Sequence, residues 1–463
     1  MNIEPAAHPN DLTQQQRYTH YSAVIGAGPA GLFAARELAS RGVFTVLFNR
    51  DIKPGGLAEY GIFRDKSKMK EGLRAQFRQI LATPGIRYYG NLRVGKNGDL
   101  SLDDLRALGF QAILIASGAQ GTKWLGIPGE HLRGVYHAKD LVYHYNWLPP
   151  YSEWQFEIGR RVAVIGAGNA MLDIAHYMAE EEQVDEVIAL ARRGPAEVKF
   201  ERKELQTVVG YLDLRAMEIE IERIMPLMDA LGQDPGELKR MIEGLLPKAP
   251  PVKSGTHLQL HFLASPVRIL GDQQGRVCGL EIEENTLTRN EQGEVIALGS
   301  GRRHTLDVDT VIFAIGDVVD RDLGLPVNGN EYAKNPNPRY PVEGLSYETF
   351  DPQKGVIIED LFVAGWSRKA SMGLVGLARR DGVNGAAVVL QYLQSKPILA
   401  EIPLARLEQR LNSLQKPVVD KEHLNRLTEA EHQRALERGL EEFKFATNAE
   451  MLAAMGLDHS SPI

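Results

Sequence analysis

Glycines at the start of a helical segment are the first residues of this sequence whose spacing points to a chemistry. The motif Gly26–Gly31 (Gly-Ala-Gly-Pro-Ala-Gly) follows the apolar run Ser22–Ile25 and opens a helical pattern. In such a motif the first glycine permits a tight turn, the second lets backbone approach a pyrophosphate, and the third packs the helix on the strand. The helix N-terminus favours the phosphate charge. Together with Pro54-Gly55-Gly56 after the next strand, the motif predicts a dinucleotide-binding turn.

The residue at the end of that next strand departs from the usual pattern. An acidic residue there commonly binds a ribose hydroxyl, and this sequence has Asn49 instead. An asparagine accepts a hydrogen bond without carrying charge. We therefore expect Asn49 to contact the adenosine end of the dinucleotide more weakly than a carboxylate does.

A second glycine motif lies at Gly166–Ala170 (Gly-Ala-Gly-Asn-Ala), which lacks the third glycine and is followed by Met171. The strand that follows ends in Arg192-Arg193-Gly194 rather than in an acid. Guanidinium groups form charge-assisted and bidentate hydrogen bonds to phosphate. The pair therefore favours a 2′-phosphate, and so NADP(H) over NAD(H). NAD(H) stays open, and a solvated basic turn is the alternative to either.

Apolar runs and helical patterns alternate along the chain, as in α/β units with parallel sheets. The expected strands are Ser22–Ile25, Val43–Phe48, Ala112–Ala116, Arg161–Ile165, Glu186–Leu190, Val308–Ile315 and Leu361–Ala364. A helix is expected from Pro29 to Ser40. The small residues Ala116–Ala119 and Ala314–Asp317 end two of the strands and mark the crossings between domains.

This order predicts an α/β protein with two Rossmann-like nucleotide-binding domains, the second inserted into the first, and a C-terminal helical tail. The first domain is expected to consist of two segments, 1–119 and 325–402, with the second domain at 120–324 and the tail at 403–463. Residues 211–256 read as a helical insertion in the second domain, and 325–355 as a long connecting loop. Thr428 with Glu431, and Thr447 with Glu450, fit capping boxes for the last two helices.

One cysteine, Cys278, is present among 463 residues. A single thiol cannot ligate a cluster, close an intrachain disulfide or form a Cys-x-x-Cys pair, so we expect no metal site and no dithiol relay. Cys278 itself reads as a small core residue on a strand. The net charge of −7 argues weakly against nucleic acid as a partner. The first 20 residues resemble no secretory signal, and no run is long and apolar enough to span a membrane. We therefore expect a cytoplasmic location.

The sequence as a whole resembles a known family, the adrenodoxin-reductase-like ferredoxin–NADP⁺ reductases, and also the flavin half of glutamate synthase small subunits. The resemblance covers nearly the whole chain. It rests on the two glycine motifs and on further matching segments, which are Leu125–Glu130, Gly134–Ala138, Tyr145–Pro149, Leu172–Ala175, Arg192–Pro195, Phe200, Glu204-Leu205, Phe262, Ser265–Val267, Ile269–Gly271, Gly365-Trp366 and Glu450–Leu452.

The resemblance implies FAD in the domain built from both chain ends and NADP(H) in the middle domain. Trp366 is expected beside the flavin, and the backbone of Gly373–Val375 at the isoalloxazine edge. The residues expected to bind FAD are Gly26, Gly28, Pro29, Ala30, Gly31, Asn49, Gly56, Leu57, Ala116, Gly118, Gly365, Trp366, Gly373, Leu374 and Val375. Those expected to bind NADP are Gly166, Gly168, Asn169, Ala170, Arg192, Arg193 and Glu204.

Several positions depart from the family. Lys66 stands where relatives have a histidine near the flavin, Thr207 replaces an expected acid, and Ala370–Gly373 replaces a Gly-Pro-Thr-Gly stretch. Lys66, expected to be catalytic together with Trp366, would stabilise negative charge on the reduced ring, as would Arg64. Both residues read equally well as ordinary surface cations.

The function that these motifs favour is an FAD-dependent NAD(P)H oxidoreductase. Hydride would pass between nicotinamide C4 and flavin N5, and single electrons would be exchanged with a ferredoxin-type iron–sulfur protein. Arg368 and Lys369, close to Trp366 in sequence, are expected as surface cations that attract such an acidic partner. One alternative is the FAD-binding subunit of a larger 2-oxoacid or aldehyde oxidoreductase. Another is a non-catalytic module that uses nucleotide binding as a sensor or scaffold.

Overall fold

The computed structural model describes residues 18–234, 236–371 and 373–457. These residues form two compact units. Unit 1 comprises the described residues of Met1–Thr122, Asn146–Ser152 and Gly316–Ile463, and unit 2 comprises Lys123–Tyr145 and Glu153–Ile315. Most of the N-terminal stretch expected to lack a targeting signal lies outside the described residues. Within the described residues no helix is long and apolar enough to cross a membrane, and the cytoplasmic location stays a prediction.

Unit 1 is built on a six-stranded sheet. In order across the sheet the strands are Glu348–Asp351, Val356–Val363, Ala112–Ile115, His20–Ile25, Val43–Phe48 and Ile86–Tyr89. All neighbours pair in parallel except the first two, which are antiparallel. The strand Val43–Phe48 is buried at every position, as expected for a parallel strand covered on both faces.

Two apolar layers cover the faces of this sheet. On one face Val24, Leu47, Leu114 and Phe362 pack against helical residues, and on the other Ala23, Val46, Ile113 and Leu361 belong to a second cluster. The helices of the unit are Pro29–Ser40, Leu57–Tyr60, Ser67–Leu81, Leu102–Ala107, Val375–Leu393, Leu404–Asn412, Lys421–Arg438 and Asn448–Ala454.

The two chain ends meet within unit 1 through a glycine contact. The helix Val375–Leu393 packs on Pro29–Ser40 so closely that a Cβ at Gly382 would lie 2.1 Å from the carbonyl oxygen of Ala30. Only a residue without a side chain fits at that distance. The early and late segments therefore pack together in one unit.

Unit 2 contains a five-stranded parallel sheet and a three-stranded antiparallel sheet. The parallel strands, in order, are Val135–His137, Thr310–Phe313, Arg161–Ile165, Glu186–Leu190 and His257–His261. The antiparallel strands are Ala264–Gly271, Val277–Arg289 and Val295–Leu306. The helices are Ala138–Tyr145, Asn169–Tyr177, Arg202–Val208, Leu214–Asp229 and Gly236–Glu243. The last two helices lie in the segment 211–256, which was predicted to be a helical insertion.

The division into units differs from the expected boundaries in one segment. Asn146–Ser152 belongs to unit 1 although both flanking stretches belong to unit 2. Its contacts explain this, because Asn146 accepts a hydrogen bond from Lys70 Nζ (2.6 Å) and Ser152 donates one to the carbonyl of Ala446 (2.5 Å). Both contacts join residues distant in sequence, so the sequence pattern held no sign of them.

Three local expectations differ from the structure. Residues 325–355 are not a structureless loop, because they contain the short strands Val327–Asn328 and Glu331–Tyr332 and one edge strand of the large sheet. Cys278 lies on a strand but is exposed, so its assignment to the core was wrong. Thr428 does not cap a helix: it lies inside Lys421–Arg438 and donates to the carbonyl of Leu424.

Candidate functional site

The three glycines of the first glycine-rich turn have different structural roles. A Cβ at Gly26 (φ +102°) would lie 2.5 Å from the carbonyl oxygen of Ala116, and a Cβ at Gly31 would lie 1.9 Å from that of Gly26. Both glycines are therefore required by packing. Gly28 is different, because a Cβ there would meet nothing within 4 Å. Open space at the second glycine is what a ligand needs if it is to approach the backbone of the turn.

The helix that follows this turn keeps its N-terminus free of side-chain caps. Gly28 is the N-cap residue of Pro29–Ser40, no side chain caps it, and the first turn carries no acidic residue. The first N–H groups of a helix have no partner within the helix. Together with the helix dipole they form a binding place for an anion.

Asn49 has a structural task in this turn. Its side chain is buried, and its Oδ1 accepts a hydrogen bond from Ala27 N at 3.0 Å. Its Nδ2 donates to the carbonyl oxygens of Asp51 (2.8 Å) and Lys53 (3.0 Å). Asn49 thus fastens the middle of the glycine turn to the loop after the next strand. Its contact with an adenosine ribose stays a prediction.

The loop containing Gly56 and Leu57 lies against the same turn. Gly55 N donates to the carbonyl of Ala27 at 2.7 Å. A Cβ at Gly56 (φ +51°) would lie 3.2 Å from Gly28 Cα. The sequence segments predicted to hold one dinucleotide are therefore brought together, with glycine where backbone meets backbone.

The later half of unit 1 reaches the turn through Gly365. This residue has φ +64°, and a Cβ on it would lie 2.7 Å from Ala30 Cβ. Ser367 Oγ donates to the carbonyl of Gly118 at 3.2 Å. Residues predicted from the two chain ends therefore lie together beside the first turn of the helix Pro29–Ser40.

Trp366, Gly373, Leu374 and Val375 lie further along the same half. Trp366 is half-buried on the 3₁₀ turn Gly365–Ser367. Leu374 is the N-cap of the helix Val375–Leu393, which has neither a side-chain cap nor an acidic residue in its first turn. Leu374 is 54% exposed, so apolar surface and free N–H groups lie side by side at this helix end.

Lys66 ends the 3₁₀ turn Arg64–Lys66, immediately before the helix Ser67–Leu81. It is partly exposed, and Arg64 is exposed. The catalytic roles predicted for Lys66 and Trp366 stay predictions.

Arg368 corrects the expected steering surface. Instead of facing a partner, its side chain is buried and donates to Asp381 through Nε (2.9 Å) and Nη2 (2.5 Å). Its guanidinium also lies 4.7 Å from the centre of the Tyr347 ring. Asp381 Oδ2 accepts from Gly365 N at 2.5 Å. Arg368 therefore orients the carboxylate that holds Gly365, whereas Lys369 is exposed as predicted.

Unit 2 carries a turn of the same form with different supports. A Cβ at Gly166 (φ +146°) would lie 2.3 Å from the carbonyl oxygen of Ala314, and a Cβ at Gly168 would meet nothing within 4 Å. The position of the third glycine holds Met171, which is buried, and the preceding Ala170 is exposed. Asn169 Oδ1 accepts from Glu201 N at 2.8 Å, which brings the start of the helix Arg202–Val208, and with it Glu204, towards the turn.

Arg192 and Arg193 follow the strand Glu186–Leu190 of the same unit. Arg192 is exposed and Arg193 half-buried. Neither guanidinium forms an ion pair with any carboxylate in the portion of the chain that the structure describes. The carbonyl oxygens of the two residues do have partners, Asn285 Nδ2 (2.8 Å) and Leu263 N (3.4 Å). The backbone of the turn is held while both cationic side chains lack a counter-charge.

A buried charged cluster behind the first site was not foreseen from the sequence. Glu59, two residues after Leu57, pairs with Arg74 (2.6 Å), with Lys444 (2.8 Å) and with Lys53 (3.7 Å). Burial raises the pKa of the Glu59 carboxyl, but Lys444, Lys53 and Arg74 outweigh it and hold the pKa well below its usual range. Burial lowers the pKa of the neighbouring Lys70 to about 8. The cluster ties the C-terminal tail to the loop that carries Gly56.

Comparisons with known proteins give a consistent result. A family model described as pyridine nucleotide-disulphide oxidoreductase matches residues 21–206. The mitochondrial NADPH:adrenodoxin oxidoreductase of Arabidopsis thaliana is 27% identical over 386 residues, covering 76% of this chain and 78% of that protein. The NADPH-ferredoxin reductase FprA of Mycobacterium leprae is 26% identical over 410 residues, covering 81% and 84%.

Solved structures show the same fold. Mycobacterium tuberculosis FprA in complex with NADPH superposes with a TM-score of 0.78 at 23% identity, over 94% of this chain and 99% of that chain. The α/β fold with parallel sheets and a C-terminal helical region is therefore confirmed. The chain is similar in sequence to the NADPH:adrenodoxin oxidoreductases and the NADPH-ferredoxin reductases, so the resemblance inferred from its motifs is confirmed.

Proposed function

We propose that the chain is an NADPH-dependent FAD oxidoreductase that exchanges electrons with a ferredoxin-type iron–sulfur protein. The observation that carries this proposal is the pair of glycine turns, each with open space at its second glycine, Gly28 or Gly168, and an uncapped helix behind it. Two such turns serve two dinucleotides. The names of the relatives specify NADPH and an adrenodoxin or ferredoxin.

FAD fits the first site. A diphosphate suits the free N–H groups after Gly28, where no protein side chain occupies the space. Gly56 and Gly365 let backbone come within contact of the turn on either side. The uncapped start of Val375–Leu393, with exposed Leu374, suits the mixed polar and apolar edge of a flavin ring. When bound, FAD supplies hydride exchange with a nicotinamide and one-electron exchange with an iron–sulfur centre.

NADPH fits the second site better than NADH does. Arg192 and Arg193 present two guanidiniums that no described carboxylate neutralises, at the strand end where a dinucleotide presents its adenosine ribose. A 2′-phosphate satisfies both of them, and a 2′-hydroxyl leaves both without a counter-charge. Each charge-assisted hydrogen bond of this kind contributes about 1.5–3 kcal/mol.

The electron acceptor is a separate protein in this proposal. The sequence has a single cysteine, so the chain cannot relay electrons through a disulfide of its own or ligate a cluster through cysteines. Lys369 is exposed, and Arg36 and Arg379 lie 4.9 Å and 4.6 Å from the centre of the Phe33 ring. These cations replace Arg368 as the residues that would attract an acidic partner, and such attraction weakens with salt.

The comparisons do not support the alternative of an FAD subunit in a larger 2-oxoacid or aldehyde oxidoreductase. A second alternative is that the chain is not an enzyme but a sensor or scaffold that binds nucleotides. Reduction of the bound flavin by NADPH would rule this alternative out.

The proposal is tested by cofactor release and by electron transfer. Purified protein should be yellow and should release FAD rather than FMN on denaturation. It should reduce a plant-type or adrenodoxin-type ferredoxin with NADPH, more slowly at high ionic strength. A Cys278→Ala variant should keep this activity. Release of FMN, or fast turnover of a disulfide substrate that Cys278→Ala abolishes, would overturn the proposal.

A further inference from the structure

The backbone of the arginine turn is held by Asn285, on a strand of the antiparallel sheet of unit 2, and by Leu263, just before the first strand of that sheet. Asn285 Nδ2 donates to the carbonyl of Arg192 at 2.8 Å, and Leu263 N donates to the carbonyl of Arg193 at 3.4 Å. Both contacts use main-chain oxygens of the turn, so neither engages the guanidinium groups. These two contacts therefore set where the two side chains leave the backbone, and they leave the guanidinium groups available to a ligand.

Asn285 sits at an irregularity of its strand that turns its side chain towards this contact. The register of Val277–Arg289 against Val295–Leu306 shifts between Glu283 and Asn285, as in a β-bulge, and bulges re-aim side chains next to functional sites. Asn285 is 4% exposed. Its second amide contact is to Ser265 Oγ at 2.9 Å, and its own N–H donates to the carbonyl of Leu263 at 2.7 Å. Its donors are thus committed to one orientation.

The corner that contains Leu263 is itself braced by the helical insertion. Leu263 has φ +51°, an uncommon backbone conformation for a residue with a side chain. The preceding Phe262 donates from its N–H to Glu220 Oε1 (2.5 Å), and its carbonyl accepts from Arg223 Nη2 (2.7 Å). Glu220 is buried and paired with Arg223 at 2.7 Å. The helix Leu214–Asp229 thereby fixes the corner on which Asn285 and the arginine turn both depend.

We infer that Asn285 is a positioning residue for Arg192 and Arg193 and thereby sets the preference for NADPH over NADH. The inference rests on the proposed function and adds to it a residue, 92 positions beyond Arg193 in the sequence, that neither glycine motif contains. Asn285 itself touches no atom of the nucleotide. It acts because two guanidiniums bind one phosphate only when both leave the backbone in fixed directions.

The test compares Asn285→Asp with a matched control. Aspartate keeps the shape of the side chain but replaces the donor by a carboxylate that repels the Arg192 carbonyl. We expect the KM for NADPH to rise about tenfold, which corresponds to the loss of one hydrogen bond, while kcat is unchanged and the KM for NADH changes less than about twofold. Asn290→Asp makes the same charge change on the exposed turn of the same hairpin, where it keeps the Oδ1 acceptor contacts and loses one exposed donor contact to Glu294. It should leave both KM values unchanged.

A second variant covers the case in which Asn285→Asp does not fold. Ser265→Ala removes the other partner of the Asn285 amide without introducing charge, and should raise the KM for NADPH about two- to threefold in the same selective way. All variants are assayed as FAD-loaded protein with ferricyanide as acceptor, and their thermal midpoints are recorded.

The outcomes separate the inference from the proposed function. If NADPH does not reduce the flavin of the unmodified protein, the proposed function fails. If Arg192→Ala with Arg193→Ala abolishes the preference for NADPH while Asn285→Asp and Ser265→Ala keep it, the inference alone is overturned. Equal increases in the KM for NADPH and NADH would also overturn it, because they would reveal a merely structural role.

Discussion

The two glycine turns share a form and differ in how the chain uses the residues around them. In the first turn Gly31 packs directly against Gly26. Asn49, at the end of the next strand, accepts a hydrogen bond from Ala27 N and so stabilises the turn. In the second turn the third position is the buried Met171. The strand end after this turn carries arginines without ion pairs among the described residues. The strand end beside the first turn is therefore used within the protein, whereas the strand end beside the second turn leaves two cations to the ligand.

This difference indicates that the two turns have different tasks, the retention of a bound cofactor and the selection between nucleotides. A turn braced by a buried asparagine holds its dinucleotide through backbone and shape, so we expect it to retain a resident cofactor. A turn with free cations discriminates between nucleotides by charge, so we expect it to bind an exchanging one. Selectivity should therefore respond to changes in unit 2, and cofactor retention to changes in unit 1.

The largest effect should come from replacing the third glycine of the first turn. Gly31→Ala places a Cβ 1.9 Å from the carbonyl oxygen of Gly26, a clash with backbone that costs about 3 kcal/mol or more. We expect protein that unfolds early and carries little FAD. As a control, Ala170→Gly removes one exposed methyl group beside the second turn, and it should leave FAD content unchanged and stability lower by about 1 kcal/mol or less. FAD content and thermal midpoints measure both. Full FAD content in Gly31→Ala would contradict the close packing of Gly31 on Gly26.

The second effect concerns the free cations. Arg192→Ala combined with Arg193→Ala should raise the KM for NADPH roughly a hundredfold, because each lost charge-assisted bond is worth about 1.5–3 kcal/mol before non-additivity. The KM for NADH should hardly change. Arg215→Ala, on the exposed first turn of Leu214–Asp229, is the control and should change neither. Equal losses with both nucleotides would mean that the turn does not recognise the 2′-phosphate.

The third prediction concerns whether the Asn49 side chain stabilises the first glycine turn. Asn49→Asp restores the acid usual at this position but removes the donors to the carbonyls of Asp51 and Lys53. We expect a loss of about 1–3 kcal/mol in the free energy of unfolding and weaker FAD retention, measured by denaturant titration and flavin release. Asn328→Asp, at an exposed site of the same unit, controls for the added charge. Tighter FAD binding in Asn49→Asp would show that the side chain serves the ribose instead.

The smallest effect is a pH dependence confined to unit 1. Burial lowers the pKa of Lys70 to about 8, below the value of about 10.4 in an unfolded chain. Between these values the unfolded state binds more protons, so this residue makes stability increase as pH rises from about 8 to about 10.4. Lys70→Met should remove about 1–2 kcal/mol of that increase. Denaturant titrations across this pH range measure the free energy of unfolding of both proteins. If that free energy changed with pH equally in the two proteins, the result would be inconsistent with a lowered pKa of Lys70.

The sequence predicted the elements whose signals are local. Val43–Phe48, Pro29–Ser40, Arg161–Ile165 and Glu186–Leu190 have the predicted bounds, because apolar runs and glycine turns determine them within a few residues. The capping box at Thr447 and Glu450 is confirmed for the same reason.

The errors share a different cause. Thr428 and Glu431 matched a capping box, but the helix begins earlier, at a second box formed by Asp420 and His423. The longer periodic run through Leu424 and Leu427 would have revealed this.

Arg368 shows why surface charge could not be predicted. Its partner Asp381 lies on another element, and a sequence gives the charge of a residue but not its pairing. Asn285 and the cluster around Glu59 were missed because their contacts span tens to hundreds of residues. Only the three-dimensional structure reveals such pairs.

The most direct test of nucleotide selectivity at the second turn is anaerobic stopped-flow reduction of the FAD-loaded protein by NADPH and by NADH. We predict that NADPH bleaches the flavin band rapidly at low concentration, that NADH does so only at much higher concentration, and that Arg192→Ala with Arg193→Ala removes this difference while FAD content is unchanged. Bleaching that is equally efficient with both nucleotides, or no bleaching in protein that retains FAD, would contradict the proposed division of tasks between the two turns.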